Sequence, residues 1–362
     1  MVQGTAIALT NGWLDRIWAK TTHGLLRGSQ RFDVRAVVDP AFAGRMTGDI
    51  VPRGASVPIY ATVEDALANL PAPPDYCIVG VAIHGGKLPA TLRGEVLTAI
   101  GRGLSVVSGL HSFLGDDPEF TAAAQQTGVG LVDVRRPRPT SELRFWSGEI
   151  YQVTTPRIAV LGTDCAVGKR TTTKFIMDAC RDAGIHAEMI YTGQTGWMEG
   201  HPYGFIFDST LNDFISGEIE RAIMDCDRET HPDLILIEGQ SSLRNPSGPC
   251  GSEFLISGDA RGVILQHPPG RPFYDGLEDK PQGRLATVES EMELIRILGS
   301  RTVGITLSEE GWDDAKMRRY QQELQERIGI PVVRPLVDGV TGLIPAIREF
   351  LSTYPDGLAD AE

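Results

Sequence analysis

The segment Gly162-Thr163-Asp164-Cys165-Ala166-Val167-Gly168-Lys169-Arg170-Thr171-Thr172 stands between the apolar run Ile158-Ala159-Val160-Leu161 and an amphipathic stretch, Thr173 to Ala183, that stops at Gly184. Strand, glycine-rich turn with a lysine, then helix is the order that wraps backbone N–H groups around a phosphate at a helix N-terminus. Gly162 and Gly168 let the backbone curl inward. Lys169 offers a mobile charge to a phosphate oxygen. The helix from Thr171 adds the positive end of its dipole. The alternative is a surface turn holding a chance Gly-Lys pair, which leaves the ordered succession unexplained.

Two details depart from the commonest phosphate loop. The spacing from Gly162 to Gly168 is one residue longer than G-x-x-x-x-G-K, and this longer form resembles the Gly-Thr-Asp-x-x-Val-Gly-Lys loop of dethiobiotin synthetases. Arg170 stands where a Ser or Thr hydroxyl ordinarily binds Mg²⁺. Arginine cannot ligate a metal, and Thr171 or Thr172 would reach the ion only from further round the helix. The departure weakens ATP hydrolysis more than phosphate binding, and Arg170 is suited to clamp an extra phosphate.

Further candidates lie at strand ends. Leu234-Ile235-Leu236-Ile237-Glu238-Gly239 reads as an apolar strand ending in a carboxylate, and ligands of open α/β sheets bind beyond such ends. Glu238 either serves a metal or accepts a proton, or is an ordinary exposed acid. Gln194-Thr195-Gly196-Trp197 follows another strand and suits substrate contact or a lid. Gly239-Gln240-Ser241-Ser242 and Asn245 to Ser252 offer backbone N–H groups to an oxyanion or carboxylate, or form plain turns. In Gln266-His267-Pro268-Pro269-Gly270-Arg271, His267 is a candidate base and Arg271 a candidate carboxylate fork. Cys165 lies where a helix terminus lowers a thiol pKa, so a covalent role is one reading. The others are binding by backbone alone and a freely variable position.

The chain has 362 residues and a formal net charge of −13. That length suits two domains, and the acidic balance argues against a nucleic-acid partner. Five cysteines without a C-x-x-C pair give no disulfide framework or thiolate zinc site, and no metal is expected. No stretch approaches a membrane span, and no leader pattern opens the sequence. The expectation is a cytoplasmic protein with no membrane partner.

Short buried strands alternate with helical spacings through both halves, with Thr62, Pro89 and Pro118 as helix-start signals. This is α/β: two domains, 1–150 and 151–362, each a mainly parallel sheet flanked by helices. The Arg-, Pro- and Thr-rich segment from Arg135 to Pro156 marks the junction. Loops are expected from Gly193 to Thr210 and from Gly239 to Gly258. The first strand is followed by Thr10-Asn11-Gly12-Trp13 and no G-x-G-x-x-G, which argues against NAD.

Four segments together carry a resemblance: Gly162 to Thr172, Thr192-Gly193-Gln194-Thr195-Gly196-Trp197, Ile237-Glu238-Gly239-Gln240-Ser241-Ser242 and Gln266 to Arg271. They look like the bacterial D-glutamate N-acetyltransferases, members of a larger P-loop family with a Rossmann-like N-terminal domain and a P-loop NTPase-like C-terminal domain. The resemblance implies acetyl transfer from acetyl-CoA to the amino group of an acidic amino acid, D-glutamate, in D-amino-acid catabolism. The phosphate loop, Gly162 to Thr172, would hold the CoA phosphates. Glu238 or His267 would accept the amine proton. Gln194, Thr195, Gln240, Ser241, Ser242 and Arg271 would bind the acceptor. The partner is then a small amino acid, and related P-loop folds lead us to expect a homo-oligomer. Two rival readings remain: an ATP-dependent kinase or carboxylate ligase of the dethiobiotin-synthetase kind, and a nucleotide-switched interaction protein.

Overall fold

The computed structural model describes residues 2–354; Met1 and residues 355–362, the latter part of the expected second domain, lie outside it. The described chain forms two units, residues 2–138 with 193–202 and residues 139–192 with 203–354. No helix among the described residues is long and apolar enough to cross a membrane.

The first unit contains β1 (Gly4–Leu9), α1 (Lys20–Leu26), β2 (Phe32–Val38), β3 (Ile59–Tyr60), α2 (Val63–Asn69), β4 (Tyr76–Val79), α3 (Ala90–Gly101), β5 (Ser105–Ser108), α4 (Pro118–Thr127) and β6 (Leu131–Asp133). Its sheet is parallel throughout, in the order β3-β2-β1-β4-β5-β6. This is the order of dinucleotide-binding sheets. In β1, Ile7 and Leu9 join the core cluster of Val96, Ile100 and Phe120, while Ala6 and Ala8 join the opposite one with Leu14, Leu25 and Leu26. A strand apolar on both faces is what helices on both faces require. Thr62 caps α2 by accepting from the Asp65 N–H at 3.1 Å. Pro118 opens α4 behind Asp117, which caps it.

The turn after β1 differs from a dinucleotide site. In such sites the acid ending the second strand faces a ribose. Here that position, Asp39, is fully buried and accepts from the Thr10 hydroxyl at 2.6 Å and the Leu14 N–H at 3.1 Å. It thereby staples the first turn to the end of β2. Helix α1 escapes sequence periodicity because, of its buried residues Thr21, Thr22, Gly24, Leu25 and Leu26, two alone are large and apolar.

The second unit begins with β7 (Arg157–Gly162), α5 (Lys169–Asp182) and β8 (Ala187–Tyr191). The chain then forms α6 (Gln194–Glu199), which packs within the first unit. It continues through β9 (Tyr203–Gly204), α7 (Asn212–Thr230), β10 (Leu234–Glu238), α8 (Ser252–Ile256), β11 (Gly262–His267), α9 (Val288–Ile297), β12 (Arg301–Leu307), α10 (Asp314–Ile328), β13 (Val332–Val333) and α11 (Ile344–Ser352). The sheet is again parallel, ordered β13-β12-β11-β7-β10-β8-β9. The strand before the phosphate loop is therefore central, between β10 and β11.

Both segments expected to be loops carry short helices, α6 and α8. Six and five residues are too few to display a 3.6-residue period, and the glycine closing α6, Gly200, adopts the left-handed conformation (φ 93°). The segment from Pro139 to Gln152 is an irregular strap rather than a free linker. The buried carboxylates Glu218 and Glu220 of α7 accept from the backbone N–H groups of Arg144 (3.1 Å), Ser147 (2.7 Å) and Ile150 (3.1 Å). Backbone donors without strand or helix partners are satisfied this way.

Gly239 closes β10 against β7. A Cβ there would lie 2.4 Å from the Val160 carbonyl oxygen, a backbone atom that cannot swing aside. Gly239→Ala is expected to lower stability by about 1–3 kcal/mol, read as a lower denaturant midpoint. An unchanged midpoint would mean the two strand ends separate freely.

Candidate functional site

Three neighbouring strands deliver three motifs to one edge. β10 ends in Glu238, β7 runs into the phosphate loop, and β11 ends in His267. Register fixes this, since Glu238 lies opposite Val160 and Gln266 opposite Gly162. Gly168, in the left-handed conformation (φ 101°), leads into α5, and no side chain caps that helix. A helix that opens on a glycine after such a turn directs the positive end of its dipole toward the loop. Ala166 in the loop (φ 53°) and Ser241 (φ 40°) are also left-handed, a costly geometry that clusters at functional sites.

Asp164, the one acid of the loop, is fully buried and bonded through both carboxylate oxygens. One oxygen, Oδ1, accepts from the Cys165 N–H at 2.7 Å and Asn245 Nδ2 at 2.8 Å. The other, Oδ2, accepts from Arg271 Nη1 at 2.6 Å and the Asp275 N–H at 2.8 Å. Arg271 Nη1 also donates to the Cys165 carbonyl at 3.0 Å, and its Nη2 reaches the Glu310 carboxylate. The guanidinium expected to face a substrate is thus turned onto protein groups.

Lys169 is buried, and its ammonium donates to the Asp164 carbonyl (2.9 Å) and the Ser241 carbonyl (2.7 Å). The Cys165 thiol lies 3.0 Å from the Ser241 hydroxyl. Ser242 accepts from the Asn245 N–H at 3.0 Å, which closes the turn beneath. Glu238 accepts from the Thr192 N–H at 3.0 Å, and the Thr192 hydroxyl is held by the Glu238 carbonyl (2.8 Å) and the Gln240 amide (2.9 Å).

His267 Nδ1 lies 3.0 Å from the Thr163 hydroxyl, and its ring sits beside Tyr320. Burial pushes the imidazole down to about 4, against a smaller upward pull from Glu289. It is neutral at pH 7 and anchored to the phosphate loop.

The donor set can be compared with what a Mg²⁺ ion needs. Arg170 occupies the usual hydroxyl position, and its Nη2 donates to Thr171 Oγ1 at 3.3 Å. The Thr172 hydroxyl donates to Gln266 Oε1 at 2.6 Å, and the Thr173 hydroxyl to the Lys169 carbonyl at 2.8 Å. The hydroxyl that ordinarily takes the metal is thus replaced by a guanidinium, while the Thr172 and Thr173 hydroxyls each spend their proton on a protein acceptor. The loop's own cations are Lys169 and Arg170.

Gln194 and Thr195 belong to the first unit. The Thr195 hydroxyl lies 3.2 Å from that of Thr21, and Gln194 packs on Gly109, just beyond β5. The remaining candidates, Gly162 to Thr172, Glu238, Gln240, Ser241, Ser242, His267 and Arg271, all lie in the second unit. Sequence reading passed over Asp275 and Glu310 and did not see Asn245 as a ligand of Asp164. One signal was present: an acid inside a phosphate loop repels the ligand, so it must turn away and find donors.

A parallel sheet with this loop on its central strand defines a P-loop α/β protein with a Rossmann-like companion unit. Residues 144–344 match the family model described as "Domain of unknown function (DUF1611_C) P-loop domain", and residues 40–137 match "DUF1611_N Rossmann-like domain". The chain belongs to the DUF1611 family. It is 32% identical over 281 residues (75% of this chain, 80% of the relative) to a D-glutamate N-acetyltransferase of Tritonibacter scottomollicae. It is 29% identical over 271 residues (74% and 79%) to the enzyme of that name from a Pseudoalteromonas species. A crystal structure of a DUF1611 family protein from Anabaena variabilis superposes with a TM-score of 0.85 at 26% identity, covering 96% of this chain and 100% of that one.

The depressed imidazole gives a pH test. Between pH 6.5 and 4 the unfolded histidine binds a proton that the folded one does not, so stability rises with pH in that window and is lost as pH falls through it. Wild type is expected to lose about 3 kcal/mol more than His267→Asn between pH 7 and pH 4, measured by denaturant unfolding at each pH. Parallel curves would remove His267 from the buried set.

Proposed function

We propose that this chain is an N-acetyltransferase that moves the acetyl group of acetyl-CoA to the amino group of an acidic amino acid, D-glutamate, within D-amino-acid catabolism. The observation that carries the reading is a phosphate loop with Arg170 directly after Lys169, where a metal-binding hydroxyl ordinarily stands. CoA is a polyphosphorylated carrier whose thioester needs no nucleotide hydrolysis, so two cations and a ring of N–H groups suffice to hold it. The names of the two curated relatives support the same reaction class and acceptor.

In this reading Gly162 to Thr172 hold the CoA phosphates. Glu238 or His267, at the ends of the flanking strands, takes the proton of the acceptor amine. The amine nitrogen then attacks the thioester carbonyl carbon, the developing oxyanion is met by N–H donors of the Gln240–Ser242 turn, and the C–S bond breaks. The sulfur leaves as thiolate and is protonated, leaving an amide on the acceptor. Gln240, Ser241 and Ser242 are positioned after Glu238 to hold the acceptor.

Acetyl-CoA with a panel of D- and L-amino acids, followed by free-thiol release, tests the reaction. D-Glutamate should give the largest rate, and a chelator should leave it unchanged. Absence of thiol release with every amino acid would end the proposal, and chelator-sensitive ADP formation from ATP would replace it with a kinase or ligase. Lys169→Ala should weaken acetyl-CoA binding on the order of a hundredfold, as expected for a desolvated charge pair, and unchanged calorimetric affinity would move the carrier elsewhere.

A further inference from the structure

We propose that Asp164 is a positioning residue that fixes the two loops after β10 and β11 onto the phosphate loop, with Asn245 and Arg271 as its two arms. The inference rests on the reading of Gly162 to Thr172 as the acetyl-CoA loop and adds a role for the Asp164 carboxylate, which is taken up by protein donors. Asp164 is 0% exposed, and a buried carboxylate is stable only when its oxygens are matched by donors. It receives four, from three places in the chain: Cys165 within the loop, Asn245 after β10, and Arg271 and Asp275 after β11. All four partners donate, so an acceptor-only group is required; an amide in its place would set an NH₂ against other donors.

Each arm carries the candidate chemistry with it. Asn245 is itself fully buried, and its Oδ1 accepts from the Ser247 N–H (2.9 Å) and hydroxyl (2.7 Å), so its amide orientation is fixed. Through it the Gln240–Ser242 turn is tied to the loop, and the Ser241 carbonyl that meets Lys169 is placed. Arg271 follows His267 within one turn and bridges Asp164, the Cys165 carbonyl and Glu310. Its charge neutralises the one acid that would otherwise repel a phosphate from this loop. Arg271 acts through Asp164 and not on a substrate carboxylate.

The test uses the full chain and two kinds of readout. Cys165 is partly exposed while Cys77, Cys180, Cys226 and Cys250 are buried, so native-state alkylation mapped by mass spectrometry reports the loop alone. In Asp164→Asn, Cys165 alkylation by iodoacetamide should accelerate about tenfold, the equivalent of one lost buried hydrogen bond, with the other four still protected; Asn245→Ala, whose amide also donates to the Cys165 thiol at 3.4 Å, is read by its kinetic and binding constants. In Asn245→Ala the amino-acid KM should rise by a similar factor while calorimetric acetyl-CoA affinity stays within about twofold. A merely structural role would lower the active fraction and leave both constants where they were. Arg271→Gln should lower kcat/KM equally for an acidic acceptor and its neutral amide analogue; a selective loss for the acid would return Arg271 to the substrate. If Asp164→Asn does not fold, Asn245→Ala and Arg271→Gln still decide. Unchanged Cys165 reactivity, reaction of all five thiols together, or parallel rises in both ligand constants would overturn the proposal. Should wild type release no thiol with any amino acid, the transferase reading falls, while alkylation and acetyl-CoA calorimetry still judge the hub.

Discussion

Parallel strands all finish on the same edge, and that constraint organises the second unit. Because β10, β7 and β11 are neighbours in register, an acid, a phosphate loop and a histidine arrive side by side although they are far apart in sequence. Crossover helices on both faces bury these strands, which explains their near-continuous Ile, Leu and Val runs. The edge is left to loops, and loops are where chemistry is placed without disturbing the core.

The loops need their own support, since little apolar surface holds them. Polar contacts supply it. Asp164 gathers three segments, Gln266 joins Thr172 of α5 to Thr306 of β12, and Thr192 clasps Glu238 from β8. A second relay extends outward, where Arg334 pairs with Glu309 and the adjacent Glu310 pairs with Arg271. In a low-dielectric setting such networks are strong when every member is matched and costly when one is not. The site is thereby held by side chains of opposite demand, and the core only sets where their strands end.

Much of this was legible in the sequence. Apolar runs placed the long strands, Thr62 and Pro118 marked helix starts, and the Gly162–Lys169 spacing located the phosphate loop. Less visible were elements whose signal is too short or too polar. β3 and β9 have two residues each, α6 six, and α1 buries threonines where leucines would announce a helix. The membership of α6 in the first unit follows from tertiary packing of Thr195, Trp197 and Met198, which local periodicity does not encode. In the site, residue types were readable but their directions were not. Arg271 has the chemistry to grip a carboxylate, and the carboxylate it holds in this structure is Asp164, more than a hundred positions away.

The central claim concerns what the β7–α5 turn embraces. A crystal structure with CoA bound measures it directly. Phosphate oxygens of CoA should lie against the N–H groups of residues 162–172, with Lys169 and Arg170 turned toward them and no divalent ion between. CoA seated in the first unit with this turn untouched, or a nucleotide with Mg²⁺ in its place, would contradict the account.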